Sequence, residues 1–241
     1  MQDILHFFGH GFCHQLPERS FEAGGLIFSV CARDTGIYLG FFCALLAAFI
    51  LYARDGRKPS ELAPVPYLIV LALFVLPMAF DGASSYLGLR PTTNTIRYIT
   101  GFLVGTSAAS LLAPLLFALR KDADPSKRIF ARPFQALAHL AMSFLLGAAF
   151  LVGYPFLGPS APVLALVAFL SIPFSVNLLL VKLSKRLAVR HDLRGWLFVV
   201  VLVCLLSFIE IAAFGALRDF IAIFFFNGQD ISSIWMLGQS F

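Results

Sequence analysis

Charged residues are scarce in this chain, and the motifs of soluble catalysis are missing. Asp, Glu, Lys and Arg make up 13% of the 241 residues, whereas a soluble domain carries roughly 25%. The sequence has no glycine-rich phosphate loop, no HExxH zinc motif and no serine-nucleophile elbow. A soluble globular enzyme is therefore excluded, and an ATP-driven machine would need another subunit to supply the energy. Residues 1–13 lack a basic start and a long apolar core, so no secretory signal peptide is expected.

Hydrophobic residues, by contrast, make up 59% of the chain, and the mean hydropathy is +0.87. They form runs of about 20 residues, the length at which a helix spans the hydrocarbon core with its backbone polar groups satisfied internally. We predict an all-α, polytopic membrane helix bundle of about six transmembrane helices. The predicted spans are residues 36–52, 63–80, 94–119, 133–152, 161–181 and 196–217. A further apolar patch, residues 220–226, is too short to span and is expected at the interface or against the bundle.

The basic residues predict the orientation, because Lys and Arg of short loops stay preferentially in the cytoplasm. Three follow span one, five follow span three and five follow span five, together 13 of the 18 Lys and Arg residues. These residues are Arg54, Arg57, Lys58, Arg120, Lys121, Lys127, Arg128, Arg132, Lys182, Lys185, Arg186, Arg190 and Arg194. The prediction is a multi-pass cell-membrane protein with both termini extracytoplasmic. Because the net charge of +5 is explained by topology, no nucleic-acid partner is predicted.

This topology divides the chain into three units. Residues 1–34 form an extracytoplasmic N-terminal segment with a Cys/His/Arg motif, and residues 35–119 hold spans one to three. Residues 120–241 hold spans four to six and an interfacial tail.

The N-terminal segment carries a set of side chains that suit a metal. Zinc or another transition metal accepts Cys, His and Asp together, and five candidates lie on the extracytoplasmic side: His10, Cys13, His14, Cys31 and Asp34. His6 and His10 share one face if residues 1–15 are helical. The alternatives are a Cys13–Cys31 disulfide, as is usual outside the cytoplasm, or free thiols. Cys43 and Cys204 fall within spans and are expected to be buried in apolar packing.

The same side carries arginines that lie near acidic residues. Arg suits fixed ion pairs and anionic ligands, and the candidates for ligand binding are Arg19, Arg33, Arg90, Asn94 and Arg97. Either they form a structural network, with Asp81 as a helix-end partner of Arg97, or they bind an anionic head group with Asp34 or Asp81 as base.

Glu210 is the third acidic candidate, because an ionisable residue within a span is a functional-site candidate by default. It could reach the outer site, pair with Arg218, or bond to Ser207. Asn177 is interpreted as helix–helix glue.

Small residues recur every fourth position in spans one and three. Gly36, Gly40 and Ala44 form one stripe, and Gly101, Gly105 and Ala109 form the other. Such stripes let helix backbones approach closely. We therefore predict that these two helices pair and bring the two polar regions beside them together.

Three stretches, CHQLPERSF, CARDTGIYLG and DGASSYLGLRPTTNTIRYITGFLVG, resemble the signatures of a prokaryotic integral membrane family known as a domain of unknown function. The resemblance covers roughly residues 10–110. It implies a membrane protein with a site on the outer face and supplies no reaction. In the family pattern a third cysteine stands where this chain carries Asp34.

The functional prediction is an outward-facing polar pocket, metal-assisted, that binds or processes a lipid or quinone head group. The alternatives are a transporter and a non-catalytic subunit or assembly factor of a membrane complex. Membrane lipids are the expected partners, together with partner membrane subunits in the last case. The 27 phenylalanines suit lipid and subunit contacts equally.

Overall fold

Six helical spans of the computed structural model are long and apolar enough to cross a membrane, counted over the residues that the structure describes, 1–184 and 193–226. This confirms the all-α, polytopic bundle. In chain order the helices are α1 Gln2–His10, α2 Ala32–Leu51, α3 Val65–Leu73, α4 Leu76–Tyr86, α5 Asn94–Ala118, α6 Pro133–Gly153, α7 Ser160–Leu183 and α8 Leu193–Phe226. The strands are β1 Glu22–Ala23, β2 Leu26–Ile27, β3 Lys58–Glu61 and β4 Ala123–Arg128.

Four features differ from the predicted spans, and one of them is the end of the second span, which lies at Tyr86 and not at residue 80. The first spanning helix begins at Ala32, earlier than predicted, with Cys31 in extended conformation as its N-cap. The second span is two helices, α3 and α4, interrupted at Phe74 and Val75 just before Pro77; a proline inside a helix removes a backbone hydrogen bond and crowds the preceding turn. The apolar patch at residues 220–226 continues α8 without a break, so the predicted end of span six is too early. Lys185, Arg186, Arg190 and the end of the predicted 120–241 unit lie outside the described residues.

The pairing of α2 with α5 is confirmed. A Cβ added at Gly36 or Gly40 would collide with the carbonyl oxygens of Tyr98 and Phe102, respectively. The collisions are reciprocal, because a Cβ added at Gly105 of α5 would collide with the carbonyl oxygen of Ile37 on α2. The two helices therefore touch backbone to backbone, as the small-residue stripes predicted.

The N-terminal segment closes one end of the bundle, which we call the motif face (residues 1–34 and 81–97). Its hairpin of β1 and β2 turns at Gly24 and Gly25, both with positive φ. Phe21 and Phe28 are buried, and their rings lie 4.8 and 6.0 Å from the ring of Tyr154. The segment is thus anchored in the hydrophobic core of the bundle.

The opposite end, the basic face (residues 52–64 and 119–132), is organised by the parallel pair β3 and β4. Lys58 is buried there, and its Nζ donates to the carbonyl oxygens of Tyr52, Ala53 and Asp55 at 2.6, 3.1 and 2.6 Å. Lys58 therefore binds carbonyl groups at and beyond the C-terminal end of α2, where a cation is favoured. This role comes in addition to the topology signal that the sequence suggested.

Candidate functional site

Cys13, Cys31 and Asp34 meet at the motif face. One ligand atom from each lies within 4.8 Å of the others. Cys31 and Asp34 are brought together by helix geometry, since the N-cap and the third residue of α2 lie on the same side of its first turn. The Cys31 thiol donates to Asp34 Oδ2 at 3.2 Å. Both Cys13 and Cys31 carry free thiols in the structure.

Cys13 reaches this cluster because the chain reverses sharply after α1. Gln15 takes the left-handed conformation, with φ of 53°, which is uncommon outside glycine. Its side-chain amide donates to the carbonyl oxygens of His6 and Ser29 at 3.0 and 2.8 Å. Gln15 thus ties α1 to the residues just before Cys31.

The two thiols sit in different electrostatic surroundings. The neighbouring Cys31 side chain lowers the pKa of Cys13. The backbone N–H groups of Gln15 and Cys31 also point to the Cys13 sulfur, at 3.4 and 3.1 Å. The same pairing, together with burial and the nearby Asp34 charge, raises the pKa of Cys31 far above its usual range. Cys13 is therefore the more acidic of the two thiols.

Of the two predicted histidine ligands, only His14 lies beside the two cysteines. His14 is exposed and lines the same cavity as Cys13 and Cys31. The rings of His6 and His10 lie 5.6 Å apart on one face of α1, as predicted. His10 Nε2, however, lies 2.7 Å from Asp219 Oδ1 of α8, and His10 does not line the cavity. The structure thus separates His10 from the other four predicted ligands.

The cavity above these residues, which we call the motif pocket, has a volume of about 260 Å³. Three predicted ligand-binding arginines line it: Arg19, Arg33 and Arg97. The Nε of Arg33 is buried and has no hydrogen-bond partner among the described residues. The remaining lining residues are Phe12, Cys13, His14, Gln15, Leu16, Cys31, Asp34 and Ser85.

Asp81 and Arg90 belong to a buried ion-pair network beside the pocket. Asp81 is completely buried, and its carboxylate accepts from Arg33 Nη2 at 2.6 Å, Arg90 Nη2 at 2.8 Å and Thr92 Oγ1 at 2.7 Å. The predicted pairing of Asp81 with Arg97 is therefore wrong. Arg97 donates instead to Asn94 Oδ1 at 3.1 Å. With three donors on its two oxygens, Asp81 is placed as an anchor that holds Arg33.

Asn94, predicted as a ligand residue, holds the N-terminal segment on α5. Its amide donates to the carbonyl oxygens of Glu18 and Ser20 at 3.3 and 3.2 Å. Neither Asn94 nor Arg90 lines the motif pocket.

Glu210 lies in a separate contact between α7 and α8. Its Oε2 accepts from Asn177 Nδ2 at 2.9 Å, and Asn177 also reaches Ser207. Asn177 thus joins the two helices, as predicted, while Glu210 does not line the motif pocket. Cys43 is buried, as expected, but Cys204 is exposed on α8, so its predicted burial is wrong.

Sequence reasoning missed one contributor to the site, Arg218, and one buried polar residue away from it, His139. Arg218, considered only as a partner of Glu210, donates through Nη1 to the carbonyl oxygens of His10 and Cys13 at 2.5 and 2.7 Å. His139 is fully buried between Tyr67 Oη and the Ala44 carbonyl oxygen, at 2.8 and 2.9 Å. A histidine within a span was a signal available in the sequence. The partners of Arg218 lie more than 200 positions away, and no local pattern points to them.

The sequence comparisons identify the region that builds this site. The family described as predicted membrane protein (DUF2085) matches residues 13–111. An uncharacterised protein of Methanothermobacter thermautotrophicus is 38% identical over 99 residues, which cover 41% of this chain and 82% of the relative. The chain belongs to this family.

A second family relative, an uncharacterised protein of Methanocaldococcus jannaschii, is 36% identical over 107 residues, or 44% of this chain. The chain spans 65% of the length of that relative. No solved structure matches the chain significantly. The family region contains Cys13, Cys31, Asp34, Asp81 and Arg97, whereas α6, α7 and α8 lie beyond it.

Proposed function

We propose that the motif pocket binds one transition-metal ion, with zinc favoured, beside an anionic lipid head group in the extracytoplasmic leaflet. The observation that carries this proposal is the convergence of two thiols, a carboxylate and three arginines on one cavity. The charge asymmetry of the loops supports the orientation.

The donor set fits zinc. Zinc binds thiolate sulfur, imidazole nitrogen and carboxylate oxygen at about 2.0–2.3 Å, with four ligands in closed sites and three plus an open position in catalytic ones. Cys13, Cys31 and Asp34 supply three donors within 4.8 Å of one another, and His14 lines the same cavity as a fourth. When bound, the ion would polarise an oxygen of the head group. The carboxylate of Asp34 makes the donor set harder than thiolates alone would, which favours zinc over a soft metal.

The arginines favour a phosphate-bearing head group over a neutral quinone ring. Guanidinium groups match phosphate geometry. Arg97 lies close enough to Arg19 and Arg33 for the positive charges of these side chains to repel its own. Asp81 accepts from Arg33 Nη2 and holds that side chain in place, while the buried Arg33 Nε has no hydrogen-bond partner among the described residues. A bound anion would relieve the repulsion among these three cations.

Elemental analysis of the detergent-purified full chain, without a histidine tag or added metal, tests the ion. We expect about one equivalent of zinc, lost in Cys13→Ser and Cys31→Ser and retained in Cys204→Ser, whose thiol is exposed on α8. His10→Ala should also retain the metal because His10 pairs with Asp219. A metal-free wild type, or full metal content in the Cys13/Cys31 double variant, would refute the metal proposal.

Binding of a short-chain phosphatidylglycerol, compared with phosphatidylcholine of equal chain length, tests the head group. Arg97→Gln should weaken phosphatidylglycerol binding by roughly ten-fold or more, the effect of losing a charged hydrogen bond. Arg132→Gln, an exposed change at the basic face, is the matched control. Equal affinity for both lipids, or an unchanged affinity in Arg97→Gln, would contradict the proposed head-group site.

A further inference from the structure

A second cavity opens at the basic face, between α5 and α7 with α2 as its floor. Its volume is about 990 Å³, several times that of the motif pocket. Its walls are apolar side chains, among them Phe42, Leu116, Phe174 and Leu178. We call it the inner groove; it shares no lining residue with the motif pocket.

The groove leaves part of α2 exposed. Half of the apolar stretch of α2 is buried, yet Leu46 and Phe49 on its lower half are each 38% exposed, and both line the groove. At the depth of the hydrocarbon core an apolar cleft is filled by apolar matter, since water finds no hydrogen-bonding partners there. An acyl chain is the component of the membrane that fits such a cleft.

The mouth of the groove is cationic on both walls. Arg120 and Lys121 follow the end of α5, and Lys182 lies in the last turn of α7. Among the described lining residues the mouth holds one carboxylate, Asp122, and Arg120 Nε and Nη2 donate to its two oxygens at 2.9 and 3.2 Å. Within the described ranges, neither Lys121 nor Lys182 forms an ion pair.

We propose that the inner groove is a binding site for an anionic phospholipid of the leaflet at the basic face. An apolar cleft that ends in Lys121 and Lys182, which form no ion pair with the described residues, is complementary to acyl chains below a phosphate head group. Basic pockets between helices on the cytoplasmic side bind acidic lipids for this reason. The site is independent of the motif pocket and of any metal bound there.

Native mass spectrometry of the full chain in detergent tests the site, with long-chain phosphatidylglycerol and phosphatidylcholine as probes. We expect one phosphatidylglycerol to be retained in the groove in preference to phosphatidylcholine, in addition to any molecule bound at the motif pocket. The double variant Lys121→Gln/Lys182→Gln should weaken that binding by about five-fold for each lysine removed. The control Arg54→Gln/Lys127→Gln makes the same charge change at exposed positions of the same face, away from the groove, and should bind as the wild type does.

A second variant separates the groove from simple surface attraction. Leu46→Trp fills the floor without changing any charge, so it should expel the retained lipid while phosphatidylglycerol binding at the motif pocket persists. Equal retention of both lipids would overturn the proposal. So would a double lysine variant that matches its control, loss of the lipid in Arg97→Gln instead, or a lipid-free dimer that covers the groove.

Discussion

The buried Asp81 network offers a direct energetic test of the motif face. The change is Asp81→Asn, which keeps the shape of the side chain and removes its charge. In the structure this carboxylate is completely buried and accepts from Arg33, Arg90 and Thr92 at 2.6–2.8 Å. The variant leaves two guanidinium groups without their counter-ion beside an apolar bundle.

The expected cost follows from the exposure of the partners. Removing one member of a buried ion pair costs about 3–5 kcal/mol, mostly because the other charge stays buried. The side chains of Arg33 and Arg90 are 16% and 34% exposed, so both recover part of their hydration. We therefore expect the free energy of unfolding to fall by about 3 kcal/mol, at the lower end of that range.

Reversible unfolding by sodium dodecyl sulfate in mixed micelles, followed by circular dichroism, measures this difference. The double variant Asp81→Asn/Arg33→Gln should lose less than the sum of the single variants, with a coupling energy of about 1–3 kcal/mol. Asp122→Asn removes a carboxylate from the exposed Arg120 pair and should leave the stability unchanged. If Asp81→Asn behaved like Asp122→Asn, Asp81 would not be an anchor, and its alternative role as a base would return.

Three further changes test other contacts. Arg218→Gln removes the hydrogen bonds to the Cys13 and His10 carbonyl oxygens. If the pocket holds zinc, the affinity of the protein for zinc should fall roughly 10–100-fold, as for other outer partners of metal ligands. Competition with a chelator measures this affinity. Gly105→Leu drives a side chain into the backbone of α2 and should lower the free energy of unfolding by at least about 3 kcal/mol, the upper range for overpacking. The expected readout is loss of the monodisperse peak in size-exclusion chromatography. Lys58→Met removes three bonds to buried carbonyl groups and should lower the free energy of unfolding by about 1–3 kcal/mol.

Each of these changes has a matched control. Arg194→Gln alters an exposed arginine at the other end of α8 and should leave metal affinity unchanged. Gly153→Leu meets open space and should fold normally. Lys127→Met changes an exposed lysine at the same face as Lys58 and should not affect unfolding. A variant that matched its control would show that the contact assigned to it contributes nothing measurable.

The spans, the stripes of small residues and the pairing of α2 with α5 were all predictable from the sequence. Each depends on a pattern within one helix: hydropathy over about 20 residues, or glycine at every fourth position. The proximity of Cys31 and Asp34 is local in the same way, because three positions bring two side chains to one side of a helical turn. For α2 the prediction was wrong about the start of the helix, which lies at Ala32 and not at Gly36.

The partners across the bundle were decided by tertiary structure. Asp81 pairs with Arg33 and Arg90 and not with Arg97 because the rotation of each helix about its axis, which packing sets, selects the side chains that meet. The same rotation exposes Cys204 and turns Glu210 towards Asn177. Arg218 reaches Cys13 because α8 returns to the motif face after more than 200 residues, a juxtaposition that no local sequence pattern encodes.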